Sequence, residues 1–181
     1  MDWLSEIVSG KELDSAKRER TKDYIFTTQV EEAQARYESD GWEFDRTLAR
    51  RRVKLKKKKP TDEIFENRVW TMLYKLGFSH MNRDRSFSVD YCQNGKSSSK
   101  QIDVLAADNE ILLLIECKCA NRPGTQSNFK TDIEAIADYR RHVFNQLKQK
   151  FPTQKMVCVF ATNNYDLGDK NKDLLAAKNI K

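Results

Sequence analysis

A chain of 181 residues with 39% hydrophobic and 33% charged side chains can build one ordinary domain and a small accessory unit, with much of it left at the surface. Its formal net charge of +6 suits a polyanionic partner. No apolar run approaches the roughly 18 residues that a membrane helix needs, and the acidic start Met1-Asp2-Trp3-Leu4-Ser5-Glu6 lacks the basic opening and apolar stretch of a signal peptide, so the sequence predicts a cytoplasmic protein without a membrane partner.

Residues 1–20 hold a short amphipathic pattern, with Trp3, Leu4, Ile7 and Val8 ahead of a charged stretch, and read as a marginal helix and tail. Residues 21–52 read as a small β-α-β accessory domain: Tyr24-Ile25-Phe26-Thr27-Thr28 has strand composition, Val30 to Ser39 favours helix, Asp40-Gly41 is a stop signal and Trp42-Glu43-Phe44 opens a second strand. The stretch from Arg50 to Lys59 then places eight basic residues in ten, and residues 53–60 read as a basic linker. Arg50, Arg51, Arg52, Lys54, Lys56, Lys57, Lys58 and Lys59 are the candidate contacts to a phosphate backbone, where each cation that displaces a counterion strengthens binding in a salt-dependent way. A solvated charge run is the simpler alternative.

Residues 61–181 form the main predicted domain. A helix opens with Thr61 or Asp62 as N-cap, carries Phe65, Val69, Met72, Leu73 and Leu76 at helical spacing, and stops at Gly77. Arg85 to Cys92 alternates apolar and polar residues like a half-buried strand, and Asn94 to Lys100 reads as a polar turn. Two apolar runs follow, Gln101-Ile102-Asp103-Val104-Leu105 and Ile111-Leu112-Leu113-Leu114-Ile115-Glu116-Cys117-Lys118, joined by the turn-like Asp108-Asn109-Glu110; together they predict an antiparallel hairpin. Residues two apart share a strand face, so Glu116 and Lys118 project together, with Ile115 and Cys117 opposite. A strand apolar on both faces belongs inside a covered sheet, where two terminal charges are costly unless paired, hydrated or bound to a metal. Arg122 lies in the loop that follows. Thr131-Asp132-Ile133-Glu134 fits a capping box ahead of a long helix, Lys155 to Thr162 is a continuous apolar strand, and Lys172 to Lys178 is helical. The chain stops inside that helical pattern, the expectation for a piece of a longer protein with a further C-terminal domain. The four cysteines, 92, 117, 119 and 158, lie in strand-like runs without Cys-x2-Cys spacing, which predicts reduced core thiols and no zinc site.

Two carboxylates and a lysine converging at a hairpin's end suit a divalent-metal phosphodiester hydrolase, because Mg²⁺ takes hard oxygen ligands and activates bound water. The spacing Asp103-x12-Glu116-x-Lys118, preceded by the helix Phe65-Glu66-Asn67-Arg68-Val69 with its Leu76-Gly77-Phe78 ending, resembles the PD-(D/E)XK nuclease superfamily, including its RecB-like and Mrr-like members. The resemblance covers about two thirds of the chain. It implies an α/β, restriction-endonuclease-like αβββαβ core whose mixed central sheet is flanked by helices. It also implies a Mg²⁺-dependent endonuclease (Mn²⁺ substituting) acting on nucleic acid, DNA foremost, in restriction, anti-phage defence or repair, as a homodimer or within a larger assembly. Asp103, Glu116 and the Cys117 backbone carbonyl would bind metal, Lys118 would orient or activate water, and Glu66, with Glu63 one turn earlier as its rival, would complete the shell. Gln101 would support the site, and Tyr139, Arg140 and Gln146 would lie at its edge. Ile102 stands where the superfamily's name has proline. The competing expectation is a non-cleaving nucleic-acid-binding or assembly module of a larger defence complex.

Overall fold

Two-sided burial is what places the runs around Asp103 and Glu116 in the middle of a sheet. The computed structural model describes residues 3–29, 37, 40–93 and 95–181. A 3-10 turn (Trp3–Glu6) leads into β1 (Ile7–Ser9) and α1 (Lys11–Thr21), followed by β2 (Tyr24–Gln29), β3 (Glu43–Leu48) and β4 (Arg52–Lys57). Then come α2 (Thr61–Lys75), β5 (His80–Asn82), β6 (Ser88–Gln93), β7 (Lys96–Gln101), β8 (Val104–Ala107) and β9 (Ile111–Cys119). The chain finishes with β10 (Thr125–Gln126), α3 (Lys130–Leu147), β11 (Lys155–Asn163), β12 (Tyr165–Asp166) and α4 (Asp169–Ala177).

The fold is α/β. A five-stranded mixed sheet in the order β1-β5-β8-β9-β11 has antiparallel neighbours except β9 and β11, which run parallel through the α3 crossover. Alternate residues of β8 and β9 face opposite layers. Leu105, Ala107, Leu112 and Leu114 pack with Ile133, Ile136, Val143 and Leu147 of α3, while Val104, Ala106, Ile115 and Cys117 pack with Val69, Trp70 and Leu73 of α2. Each large aliphatic or aromatic side chain so buried stabilises the fold by roughly 1.5–3 kcal/mol. The β8–β9 hairpin turns on Asp108, whose Oδ1 accepts the Glu110 and Ile111 amides, both at 2.8 Å. Gly77 adopts φ +94° just beyond α2, a conformation that side-chain-bearing residues resist.

Several expectations are corrected. Residues 1–20 are not a tail: β1 pairs with β5 at the sheet edge, and Leu13 and Ala16 of α1 are buried in the α2 layer. The missed signal is Ile7-Val8, too short for any period to register. The core strand before the Asp103 hairpin is β5, not the Arg85–Cys92 segment. That segment instead forms a separate two-stranded sheet with β7, which takes up most of the predicted polar turn. Polar composition misled there because Ser97, Ser98 and Ser99 need only one supported face. The basic linker 53–60 is largely the central strand of a β2-β4-β3 sheet, with Val53 and Leu55 buried and Arg52, Lys54 and Lys56 on the opposite face. Of the helix expected over Val30–Ser39, all but Tyr37 lies outside the described residues. Pro60, rather than Thr61 or Asp62, precedes α2, and Phe129 precedes α3 without a side-chain cap, so Asp132 is left for another role.

Candidate active site

The chain leaves β7 at Gln101, buries Ile102, and enters β8 just after Asp103. Asp103 Oδ2 accepts the Cys117 amide at 2.8 Å, taking a ladder position that no β8 main-chain group reaches. In an antiparallel pair a residue turns its N–H and C=O to the same neighbour, so the Cys117 carbonyl leaves β9 on the Asp103 side. Asn82, fully buried, secures the same junction. Its Nδ2 donates to the Asp103 and Asp84 carbonyls at 3.2 and 2.9 Å, and its Oδ1 accepts the Leu105 amide at 3.0 Å. Asn82→Ala removes three hydrogen bonds to the main chain, strands the buried Leu105 amide, and is expected to cost about 1–3 kcal/mol in urea denaturation; a loss under about 0.5 kcal/mol would show that the junction holds without it.

Glu116 and Lys118 share a face of β9, as the spacing predicts. Lys118 Nζ lies 3.3 Å from Glu116 Oε1 and 2.8 Å from Asp132 Oδ1 at the start of α3. Lys100, from β7, reaches Glu116 Oε2 at 3.3 Å and lies over the Tyr139 ring, and the Tyr139 hydroxyl donates to the same Oε2 at 3.5 Å. Burial works against the Lys118 charge, but the Asp132 hydrogen bond and the Glu116 charge outweigh it and raise the ammonium pKa. Burial, then the neighbouring Glu116 charge, pushes the Asp103 carboxyl up to about 6, against the opposing pull of the Cys117 amide.

Glu66 and Glu63 of α2 are both buried. Arg85 grips Glu66 with two hydrogen bonds, Nε to Oε2 at 2.6 Å and Nη2 to Oε1 at 2.7 Å, and reaches Glu63 Oε2 at 3.2 Å. The Tyr24 hydroxyl and Lys59 complete the surroundings of Glu63, the latter at 3.3 Å. Burial opposes the Glu63 charge, and the Tyr24 and Lys59 hydrogen bonds outweigh it, lowering its pKa. Both oxygens of Glu66 are therefore committed to a guanidinium, and Glu66 is not free to ligate directly.

The remaining donors fit a hard divalent cation. Asp103 Oδ1 has no protein partner among the described residues, the Cys117 carbonyl leaves β9 on the same side as the amide that Asp103 binds, and Glu116 adds a carboxylate whose charge raises the Asp103 pKa. Two carboxylates and a carbonyl, with water and phosphate filling other positions, are a donor set that Mg²⁺ accepts. Among the described residues no three His, Cys, Asp or Glu side chains gather into a metal-holding group.

Other expected site residues go elsewhere. Gln101 donates to the Arg85 carbonyl at 2.7 Å and does not share a strand face with Asp103, because the strand breaks between them. Arg140 binds the carbonyls of Lys178 and Asn179 beyond α4. Gln146 pairs with Gln149 near the far end of α3, 14 residues and roughly 20 Å along the axis from Asp132. Arg122 is exposed in the loop after β9. The basic run is divided: Lys59 is buried against Glu63, Lys57 lies over Trp42, Lys54 pairs with Asp45, and Arg50 and Arg51 form the β3–β4 turn at positive φ. Arg52, Lys56 and Lys58 remain exposed. Sequence reasoning missed Lys100, Asp132, Arg85 and Asn82. Only Asp132 carried a signal, as an acid in a helix's first turn.

No family model matches the chain, and no curated protein does. Among solved structures, a protein of unknown function designated AF1548 is similar at 21% identity and a TM-score of 0.42, over 64% of this chain and 54% of that one. Protein VC1899 from Vibrio cholerae is similar at 11% identity and a TM-score of 0.48, over 99% of this chain and 47% of that one. The chain thus spans about half the length of the solved structures it matches.

Proposed function

We propose that this chain is a Mg²⁺-dependent phosphodiester hydrolase acting on nucleic acid, DNA foremost, as its resemblance to the PD-(D/E)XK nucleases implies. The observation that carries the reading is the arrangement at the end of the β8–β9 hairpin, where Asp103 Oδ2 accepts the amide of Cys117, the residue between Glu116 and Lys118, and Lys118 Nζ lies 3.3 Å from Glu116 Oε1. When bound, Mg²⁺ would lower the pKa of water and take up charge on phosphate oxygens. Asp103 Oδ1, Glu116 and the Cys117 carbonyl would hold it. Lys118, kept charged between Glu116 and Asp132, orients a water or a phosphate oxygen and offsets developing negative charge, rather than serving as a free amine base. Asp132 acts through Lys118 and is a positioning residue. Lys100 holds the second Glu116 oxygen until a cation competes for it.

The testing experiment is cleavage of supercoiled plasmid and a single-stranded circle with Mg²⁺, Mn²⁺ or EDTA. Metal-dependent nicking that disappears in Lys118→Ala supports the reading, and nicking that survives the substitution sinks the assigned site. Binding without cleavage would point to the non-cleaving module, which the pairing of Glu66 with Arg85 and of Glu116 with Lys100 favours.

The exposed face of β4 is the candidate strand-backbone contact. Replacing Arg52 and Lys56 by Ala is expected to weaken binding uniformly across sequences and to lower the slope of log K against log salt by about two, near one per lost phosphate contact. An unchanged slope in fluorescence anisotropy would remove β4 from the interface.

A further inference from the structure

Glu116 is held at both oxygens, and one of its partners comes from outside the central sheet. Lys118 Nζ lies 3.3 Å from Oε1, while Oε2 faces the Lys100 ammonium at 3.3 Å and the Tyr139 hydroxyl at 3.5 Å. Lys100 belongs to β7, which pairs with β6 in a separate two-stranded sheet. Its cross-strand partner is the fully buried Val89, and opposite residues of an antiparallel pair share a face. Lys100 therefore stands on the packed face of that sheet. The ammonium rests over the Tyr139 ring, 4.9 Å from its centre. The side chain is 30% exposed, which leaves it within reach of a ligand as well as of Glu116. Glu116 is the only carboxylate it pairs with among the described residues.

Charge explains why this pairing is open to exchange. Asp103, Glu116 and Asp132 stand against Lys100 and Lys118, so with Asp103 ionised the metal-free site has one carboxylate in excess. A divalent cation turns that into one positive charge in excess. Oε1 of Glu116 faces Lys118, which Asp132 holds in place at 2.8 Å. Oε2 has no such second anchor: Lys100 pairs there with Glu116 alone, and the Tyr139 contact is long. A cation taking a carboxylate oxygen therefore displaces Lys100 before Lys118. The displaced ammonium keeps the Tyr139 ring but no carboxylate. A phosphodiester supplies the missing anion, with unesterified oxygens that accept charge-assisted hydrogen bonds from an ammonium.

We propose that Lys100 is an exchangeable counter-ion: it neutralises Glu116 before metal binds and contacts the phosphate of nucleic acid afterwards. This rests on the metal-dependent reading of the Asp103 site. Metal and nucleic acid then bind cooperatively, because metal releases the ammonium that the phosphate takes up. By linkage, nucleic acid strengthens metal binding by the same factor. Lys100 is thus a substrate-contacting residue in the metal-loaded protein, unlike Asp132, which acts only through Lys118.

The test uses Lys100→Met in the full chain. Methionine keeps an unbranched stem, and Glu116 keeps Lys118 and the Tyr139 hydroxyl, so no carboxylate is stranded. Mn²⁺ affinity is read from the free-ion electron paramagnetic resonance signal with wild type, Lys100→Met and Asp103→Asn. Binding of a short labelled duplex and of its single strand is read by fluorescence anisotropy in EDTA and in Ca²⁺, another cation that takes oxygen ligands. Lys100→Met is expected to bind Mn²⁺ about tenfold more tightly than wild type. It is expected to bind the oligonucleotide as wild type does in EDTA and about tenfold more weakly in Ca²⁺. A fixed surface cation would weaken binding equally in both, and that result overturns the proposal. So does an oligonucleotide affinity unchanged in Ca²⁺, or a Mn²⁺ affinity no tighter in Lys100→Met than in wild type. In those cases, loss of Mn²⁺ binding in Asp103→Asn shows that the metal site itself stands. Mn²⁺ bound by none of the proteins, or bound equally by Asp103→Asn, removes the metal-dependent reading and the proposal with it.

Discussion

Asp103→Asn is expected to lower metal-dependent cleavage by at least about 10²–10³-fold while making the metal-free protein more stable at neutral pH. The asparagine carbonyl still accepts the Cys117 amide, so the β8–β9 junction keeps its hydrogen bond and only the charge is lost. That charge is unfavourable without a cation, because burial and Glu116 hold the carboxyl at about 6 against an ordinary 3.8. Below 3.8 the group is protonated in both folded and unfolded chains, and the stability conferred by the raised value is fully present. Between 3.8 and about 6 only the unfolded chain gives up the proton, so stability falls as pH rises, and above about 6 the loss is complete. The corresponding energy is on the order of 2–3 kcal/mol, or about 5–10 °C in melting temperature for a chain of this size. Melting curves in EDTA should therefore separate wild type and Asp103→Asn near pH 7 and bring them together near pH 4. Coincident curves at both values would mean that Asp103 is not desolvated as the geometry requires.

Arg85→Ala is expected to bring a large stability loss. The guanidinium binds both oxygens of Glu66 and one each of Glu63 and Asp62. Glu63 keeps Tyr24 and Lys59 when it is removed, but Glu66, 6% exposed, keeps no partner of its own among the described residues and becomes a buried, uncompensated carboxylate. Breaking a buried pair in this way costs about 3–5 kcal/mol; partial exposure of Arg85 brings the expectation to about 2–4 kcal/mol. The double variant Arg85→Ala/Glu66→Gln should recover more than half of the loss, because a neutral amide needs no counter-ion. Equilibrium denaturation of the full double-mutant cycle reads the coupling directly. Additive losses would show that Glu66 does not depend on Arg85.

The central hairpin was legible in the sequence because strand periodicity and turn chemistry are local. Ile111 to Lys118 is apolar on both faces, Asp108 supplies the turn, and residues two apart must share a side, so Glu116 and Lys118 had to project together. Helix α2, its Gly77 stop and the crossover to β11 were readable for the same reason. Local rules could not say what lies across a face. Asp103 meets Cys117 because the chain leaves its strand after Gln101 and re-enters the sheet at Val104, with Asn82 of β5 holding the junction. Glu66 looks the same in sequence whether it faces metal or guanidinium; only the fold brings Arg85 across to it. Lys54 and Lys59 belong to one basic run, yet Lys54 pairs with Asp45 on the β2-β4-β3 sheet and Lys59 is buried against α2. The sequence alone determined the period-two faces, the turns, and the residue types at the hairpin's end. Which charges neutralise one another was decided by tertiary structure, because partners tens of residues apart in the chain become neighbours only when helices and strands pack.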